Sequence, residues 1–225
     1  MSTLRTKSQV LNELRQGGIV PVIRADSSAI AVKIAEALVA GGITTLEITM
    51  TVPDAIRVMS SIAHRFGSRI LLGAGTITTP QMADAAVDAG CAFLVTPCLL
   101  PEVIARARAR RVPVLAGALT PTEVFAAHAA GADFIKVFPA GAVGGPDYLR
   151  ALRGPFPDID LVPTGGITLL NAGEYIRAGA AAIGVGGELI SREAIAAKDF
   201  SAIGALGRQF IEAVSRARLR EGIPS

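Results

Sequence analysis

Eight short runs of β-branched and apolar residues, separated by alanine-rich amphipathic stretches, predict an α/β protein: a (β/α)8 TIM barrel with an extra N-terminal helix. The first argument is spacing. The runs recur about every 20 to 27 residues, the length of one strand-and-helix unit, and eight such units close a parallel barrel. The second is helix punctuation: residues 29–39 carry apolar side chains at helical spacing and stop at Gly41-Gly42. The third is composition. Of 225 residues, 51% are hydrophobic, only 4% are aromatic and none is tryptophan, which suits small-residue helices packed closely on a parallel sheet.

Taken in order, residues 4–17 read as the extra helix. The strands are expected at 19–24, 45–49, 70–75, 92–97, 112–117, 134–138, 161–165 and 182–186, and residues 200–219 as the last barrel helix. The whole chain, 1–225, is expected to be one domain, with the barrel over about residues 18–220. An open doubly wound sheet is the competing fold. It fits less well, because the units are nearly equal and no Gly-x-Gly-x-x-Gly turn follows the first strand.

Several function classes are disfavoured by composition. No apolar run has the length of a membrane span, and the start Met1-Ser2-Thr3-Leu4-Arg5-Thr6-Lys7 has no apolar signal core, so a cytoplasmic protein is expected. Cys91 and Cys98 read as free thiols, and His64 and His128 as helix-face residues. A zinc enzyme needs several well-placed histidines or thiolates, so no metal is expected. Arg106, Arg108, Arg110 and Arg111 fall on an amphipathic helix and read as a solvated face, not a nucleic-acid patch. The net charge of +3 is compatible with anionic substrates and says little more.

One residue calls for a chemical explanation. Lys136 stands alone in the apolar run Phe134-Ile135-Lys136-Val137-Phe138-Pro139, whereas Lys7, Lys33 and Lys198 lie in polar or amphipathic helical stretches. A lysine in such a run either extends its head to water or loses its charge, and a neutral amine in an apolar pocket is a good nucleophile toward carbonyls. Other polar residues gather at the downstream ends of the expected strands, which in a parallel barrel share one mouth. Arg24 closes the first strand, Glu47 lies in the second, Thr76 follows the third, Thr96-Pro97 end the fourth and Thr164-Gly165-Gly166 end the seventh. Each has a plainer explanation: Arg24 pairing with Asp26, Glu47 as a structural ion-pair partner, Thr76 as a helix cap. Convergence from separate strands favours a pocket. Gly165-Gly166 and Gly184-Val185-Gly186-Gly187 end the last two strands, either as tight turns or as a backbone cradle for an anion.

These residues carry a resemblance. The stretches PVIRADS, AGGITTLEITMTVPDA, LLGAGTITTPQ, FLVTPCLLPEV, FIKVFPAGAVGG, GPFPDIDLVPTGGI and GVGGELI, spread over the barrel, resemble the class I pyruvate aldolases that cleave 2-keto-3-deoxy-6-phosphogluconate (KDPG), many of which also handle 4-hydroxy-2-oxoglutarate. The resemblance implies the fold named above, no cofactor, a homotrimer and cleavage to pyruvate and glyceraldehyde 3-phosphate, the aldolase step of the Entner-Doudoroff route. It makes Lys136 the Schiff-base amine and Glu47 the acid and base. Arg24 and Thr76 would hold the pyruvate carboxylate, with Pro97 and Phe138 shaping the pocket. Thr164, Gly165, Gly166, Gly186 and Gly187 would line the side of the distal phosphate. The residue types suit the chemistry: an iminium at C2 withdraws electrons, so the C3–C4 bond breaks to an enamine.

Two positions depart from the family pattern. Thr51 stands where some relatives have an arginine, so the carboxylate role passes to Arg24. Gly187 stands where many have a serine that assists phosphate binding, and Glu188 beside it carries the wrong charge for that ligand. The alternatives are therefore 4-hydroxy-2-oxoglutarate, the epimeric 2-dehydro-3-deoxy-6-phosphogalactonate or a nonphosphorylated 2-oxo acid. Of other classes, a phosphate-binding isomerase or synthase, which gives Lys136 no reason, and a non-catalytic binding or assembly barrel remain.

Overall fold

The structure is a computed structural model that describes residues 5–221. Strands and helices alternate: α1 (Lys7–Gly17), β1 (Ile19–Ile23), α2 (Ser28–Ala40), β2 (Thr45–Thr49), α3 (Ala55–Phe66), β3 (Leu71–Gly75), α4 (Pro80–Asp88), β4 (Phe93–Val95), α5 (Pro101–Ala109) and β5 (Val114–Ala118). They continue through α6 (Pro121–Ala129), β6 (Phe134–Val137), α7 (Gly145–Arg153), β7 (Leu161–Pro163), α8 (Ala172–Arg177), β8 (Ile183–Val185), α9 (Arg192–Ala196) and α10 (Phe200–Glu221). All eight strands run parallel in the order β7-β6-β5-β4-β3-β2-β1-β8. The seam between β7 and β8 is joined by single bridges, Leu161 with Ala180 and Thr164 with Gly184. The chain therefore has the expected barrel, with α1 as its extra helix.

The expected strands are all present, and most are shorter than expected. Arg24, Thr96, Pro97, Phe138, Thr164 and Gly165 lie just beyond strand ends. Loss of ladder pairing explains the trimming, as Pro97 has no N–H to give. At the mouth, Thr96 N still donates to Leu115 O (3.0 Å) and Thr164 N to Val137 O (2.9 Å), so these residues stay anchored. The short α9 in the connection after β8 was not anticipated; Ser191 caps it by accepting from Ala194 N at 3.1 Å. The expected start of the first helix at residue 4 and the expected domain limits at 1 and 225 lie outside the described residues.

Two apolar layers follow from the strand period of two. Val20, Leu71, Phe93, Val95, Leu115, Phe134, Val162 and Ala182 pack together inside the barrel, and Val10 and Leu14 of α1 join them as a plug. The alternate residues, such as Ile23, Leu46, Ile48, Leu94, Ile135 and Ile183, face the helices in a larger outer layer. Arg218 of α10 locks the plugged end. Its guanidinium donates to the carbonyls of Gln16 (2.5 Å), Arg15 and Ala181 (3.2 Å), thereby satisfying last-turn acceptors of α1. On the outer surface Arg106 and Arg110 bind Asp84 and Asp88 of the neighbouring helix. That pairing accounts for part of the arginine-rich run as a solvated, ion-paired face.

Candidate active site

Inside-facing parity decides which side chains meet. Position 22 of β1 pairs with Glu47, and Glu47 pairs with Gly73 across the next ladder. Lys136 lies between Gly117 of β5 and Val162 of β7. Counting in twos from the interior cluster, Val20 leads to Arg24, Phe134 to Lys136 and Phe138, and Val162 to Thr164. The lower layers of the barrel are thus hydrocarbon apart from Thr45, and the upper layers carry a cation, an acid, an amine and a hydroxyl.

Lys136 is 5% exposed and does not extend to solvent, and its Nζ lies 5.2 Å from the centre of the Phe138 ring. It is the buried one among the described lysines. Lys7 pairs with Asp133 at 2.7 Å, Lys33 lies over Phe200, and Lys198 is exposed. Glu47 is 2% exposed, and its Oε1 has no hydrogen-bond partner among the described residues. Burial pushes the Glu47 carboxyl above its ordinary range, while the opposing charges of Lys136 first and Arg24 second pull it back. Acid, amine and guanidinium therefore act on one another electrostatically.

The simpler readings of the neighbouring residues can be checked. The ion pairs of the described residues lie on the outer elements and include neither Arg24 nor Glu47. The α4 cap is Thr79, which accepts from Met82 N at 3.2 Å, so Thr76 is released from that task. Thr76 instead holds φ at 59°, a left-handed conformation that costs a β-branched residue energy. Pro97 packs its carbonyl against Gly117, the ladder partner of Lys136.

Above Lys136 and Glu47 the mouth opens into two adjoining cavities that share Val22, Arg24, Gly186 and Gly187. The smaller, about 100 Å³, has Phe138, Thr164, Gly165, Gly166 and Glu188 in its wall. The larger, about 920 Å³, reaches Asp26, Thr51 and Arg192. Gly165 and Gly166 need glycine for their backbone, at φ 88° and 75°, so the tight-turn reading holds for them. Gly141 N donates to Gly165 O and Asn171 Nδ2 to Gly166 O, both at 2.9 Å, which pins this loop. Gly187 differs: a Cβ there meets nothing within 4 Å, so steric need does not explain it. Lys136 and Glu47, both buried, do not line these cavities, and neither do Thr76 and Pro97.

Sequence reasoning missed the inward glycines that make room. A Cβ on Gly75 would overlap Glu47 Oε1 and lie 2.5 Å from its carboxyl carbon, and one on Gly184 would overlap Thr164 Oγ1. Their signal is present in the chain: small residues at alternate, inward positions of strands that otherwise carry bulky ones.

A family model described as the KDPG and KHG aldolases matches residues 10–206. The chain belongs to the KDPG and KHG aldolase family. Over 177 residues it is 37% identical to the 2-dehydro-3-deoxy-phosphogluconate aldolase of Pseudomonas aeruginosa, covering 78% of this chain and 80% of that protein. It is 38% identical over 154 residues to the 2-dehydro-3-deoxy-6-phosphogalactonate aldolase of Escherichia coli, covering 68% of this chain and 75% of that one. The crystal structure of the Legionella pneumophila KDPG aldolase, with pyruvate captured as a covalent carbinolamine, superposes with a TM-score of 0.81 at 32% identity, covering 91% and 97% of the two chains. Membership in this family makes the chain an aldolase, a carbon-carbon lyase, acting on a small-molecule substrate. No helix among the described residues is long and apolar enough to cross a membrane.

Proposed function

We propose that this aldolase cleaves 2-dehydro-3-deoxy-6-phosphogluconate to pyruvate and glyceraldehyde 3-phosphate by a class I, Schiff-base mechanism, with Lys136 and Glu47 as its catalytic residues. The observation that carries the reading is a buried amine within the field of a buried carboxyl at the functional end of an aldolase-family barrel. The family's galactonate relative and the 4-hydroxy-2-oxoglutarate activity in the family description mark the nearest competing substrates.

In the forward direction the Lys136 amine adds to C2 of the keto acid and water leaves, giving an iminium. Glu47 takes the proton from the C4 hydroxyl. The C3–C4 bond breaks, its electrons pass to the iminium as an enamine, and the aldehyde departs. Protonation at C3 and addition of water then release pyruvate and restore the amine. A carboxyl raised by burial and lowered by a nearby cation suits both taking and returning a proton. Arg24 and Thr76 hold the carboxylate end, Arg24 through charge-assisted hydrogen bonds. Pro97 and Phe138 shape the pocket around the reacting carbons, and Thr164, Gly165, Gly166, Gly186 and Gly187 line the side along which the distal half runs. The working form is a homotrimer in the cytoplasm, each chain one domain; light scattering at working concentration tests the oligomer.

Reduction with borohydride in the presence of pyruvate tests the mechanism. The expected result is a mass increase on Lys136, lost in Lys136→Ala. An unmodified Lys136 in a protein that still releases pyruvate from a 2-keto-3-deoxy acid overturns the Schiff-base assignment.

A further inference from the structure

The mouth separates two electrostatic environments on either side of Gly186-Gly187. The smaller cavity combines the glycine-lined wall with the carboxylate of Glu188, so Arg24 is its one cation and an acid opposes it. The larger cavity combines Arg24 with Arg192, from the first turn of α9, against the single acid Asp26. Neither arginine is within ion-pair distance of a carboxylate among the described residues. A substrate with an anion at each end has one of them bound near Lys136 by Arg24. The other seeks a second cation that is not already engaged, and it avoids a carboxylate.

The geometry points to Arg192 as a specificity-determining residue that binds the distal anion of the substrate, drawing the phosphate end over Gly186-Gly187 into the larger cavity. This rests on the aldolase reading above and revises one part of it: past Gly186-Gly187 the distal end turns toward Arg192 and away from Thr164, Gly165 and Gly166, which line only the smaller cavity. Three observations converge on it. The cavity has room for a phosphorylated chain, falling within the range of small-ligand pockets, whereas the smaller one holds only a few atoms. Gly187 is open to substitution without steric cost, so the hydroxyl it lacks was not excluded by crowding. The side chain next to it, Glu188, is an acid in the very wall where a phosphate cradle would otherwise lie.

Because guanidinium and phosphate meet in a charge-assisted pair, loss of Arg192 affects ground-state capture of the charged end and leaves the chemistry at C2 to C4 alone. Retro-aldol kinetics with KDPG and its unphosphorylated counterpart, on the wild-type protein, Arg192→Gln, Arg192→Lys and Glu188→Gln, test this. Arg192→Gln is expected to raise KM for the phosphorylated substrate about 10- to 100-fold with kcat within about twofold, to leave the unphosphorylated substrate unchanged, and to be partly rescued by lysine. If Arg192→Gln leaves the ratio of the two KM values unchanged while Glu188→Gln improves phosphate binding strongly, the anion lies in the glycine cradle and the inference fails. A wild-type protein with no preference for the phosphorylated acid also overturns it. Borohydride trapping of pyruvate, run on the same proteins, reads the aldolase assignment separately. A trap that fails in the wild type sinks that assignment, and a trap that works with an unmoved KM ratio sinks only the role of Arg192.

Discussion

Gly75 leaves the space that the Glu47 carboxyl occupies: a Cβ on Gly75 would overlap Oε1 and lie 2.5 Å from the carboxyl carbon. The two residues sit on adjacent strands, β3 and β2, both on the inward side of the barrel. The proposed proton-transfer group thus depends on a missing side chain in its neighbour. Backbone strain is not the reason, since Gly75 is not among the residues with positive φ.

Gly75→Ala is therefore expected to displace Glu47 and to cut kcat for retro-aldol cleavage about 100-fold or more. Lys136 lies on a different strand, so trapping of pyruvate by borohydride should persist. Loss of both activities together would show that the damage spreads beyond Glu47.

Glu47→Gln tests the cost of holding the acid in the barrel. Burial raises this carboxyl above its ordinary value of 4.5 in spite of Lys136 and Arg24. The native state keeps its proton longer than the unfolded chain, so the contribution of Glu47 to stability is complete below the unfolded value and is lost as the pH rises toward the native one. The variant should melt a few degrees above the wild type at pH 7 to 8. That difference should vanish below about pH 4, where both states of the wild type are protonated. Thermal scans across this range check the sign, and activity should be lost at every pH.

Arg24→Gln is expected to raise KM about 10- to 100-fold for phosphorylated and unphosphorylated acids alike, because the proposed contact is with the carboxylate that both share. The same factor should appear in the pyruvate concentration needed for half-maximal trapping.

Arg218→Met removes three hydrogen bonds at the plugged end of the barrel and leaves the carbonyls of Arg15, Gln16 and Ala181 without their donor. A loss of about 3 kcal/mol in denaturant unfolding is expected. The plug is far from the mouth, so kcat at temperatures where the variant is folded should be unchanged.

The thiols should separate cleanly. Burial pushes the Cys91 thiol up to about 12, whereas Cys98 is exposed in the turn after β4. Iodoacetamide at pH 8 should modify Cys98 alone, as peptide mapping would show, with Cys91 reacting only on unfolding.

Periodicity made most of this molecule legible. The eight strands were readable because each is a short apolar run bounded by turn residues, and Lys136 stood out because a cation interrupts such a run. Glu47 was harder to read, since an isolated acid in TLEIT is as compatible with a surface pair as with a buried site; the ladder to Gly73 and the space beside Gly75 decided it. Strand ends were read too long, because hydrophobicity continues past the last ladder bond while pairing does not.

The sequence by itself determined the kind of fold, the inward and outward alternation and the suite of chemical groups, all of which are properties of neighbours along the chain. Which groups meet was decided only by closure of the sheet. Register placed Glu47 and Lys136 on one inner surface, and inward glycines gave Glu47 and Thr164 their room. Closure also set Glu188 and Arg192, four positions apart, in the walls of different cavities. The meeting of Glu47 with Lys136 depends on distances through space between residues far apart in the chain, and no local pattern encodes it.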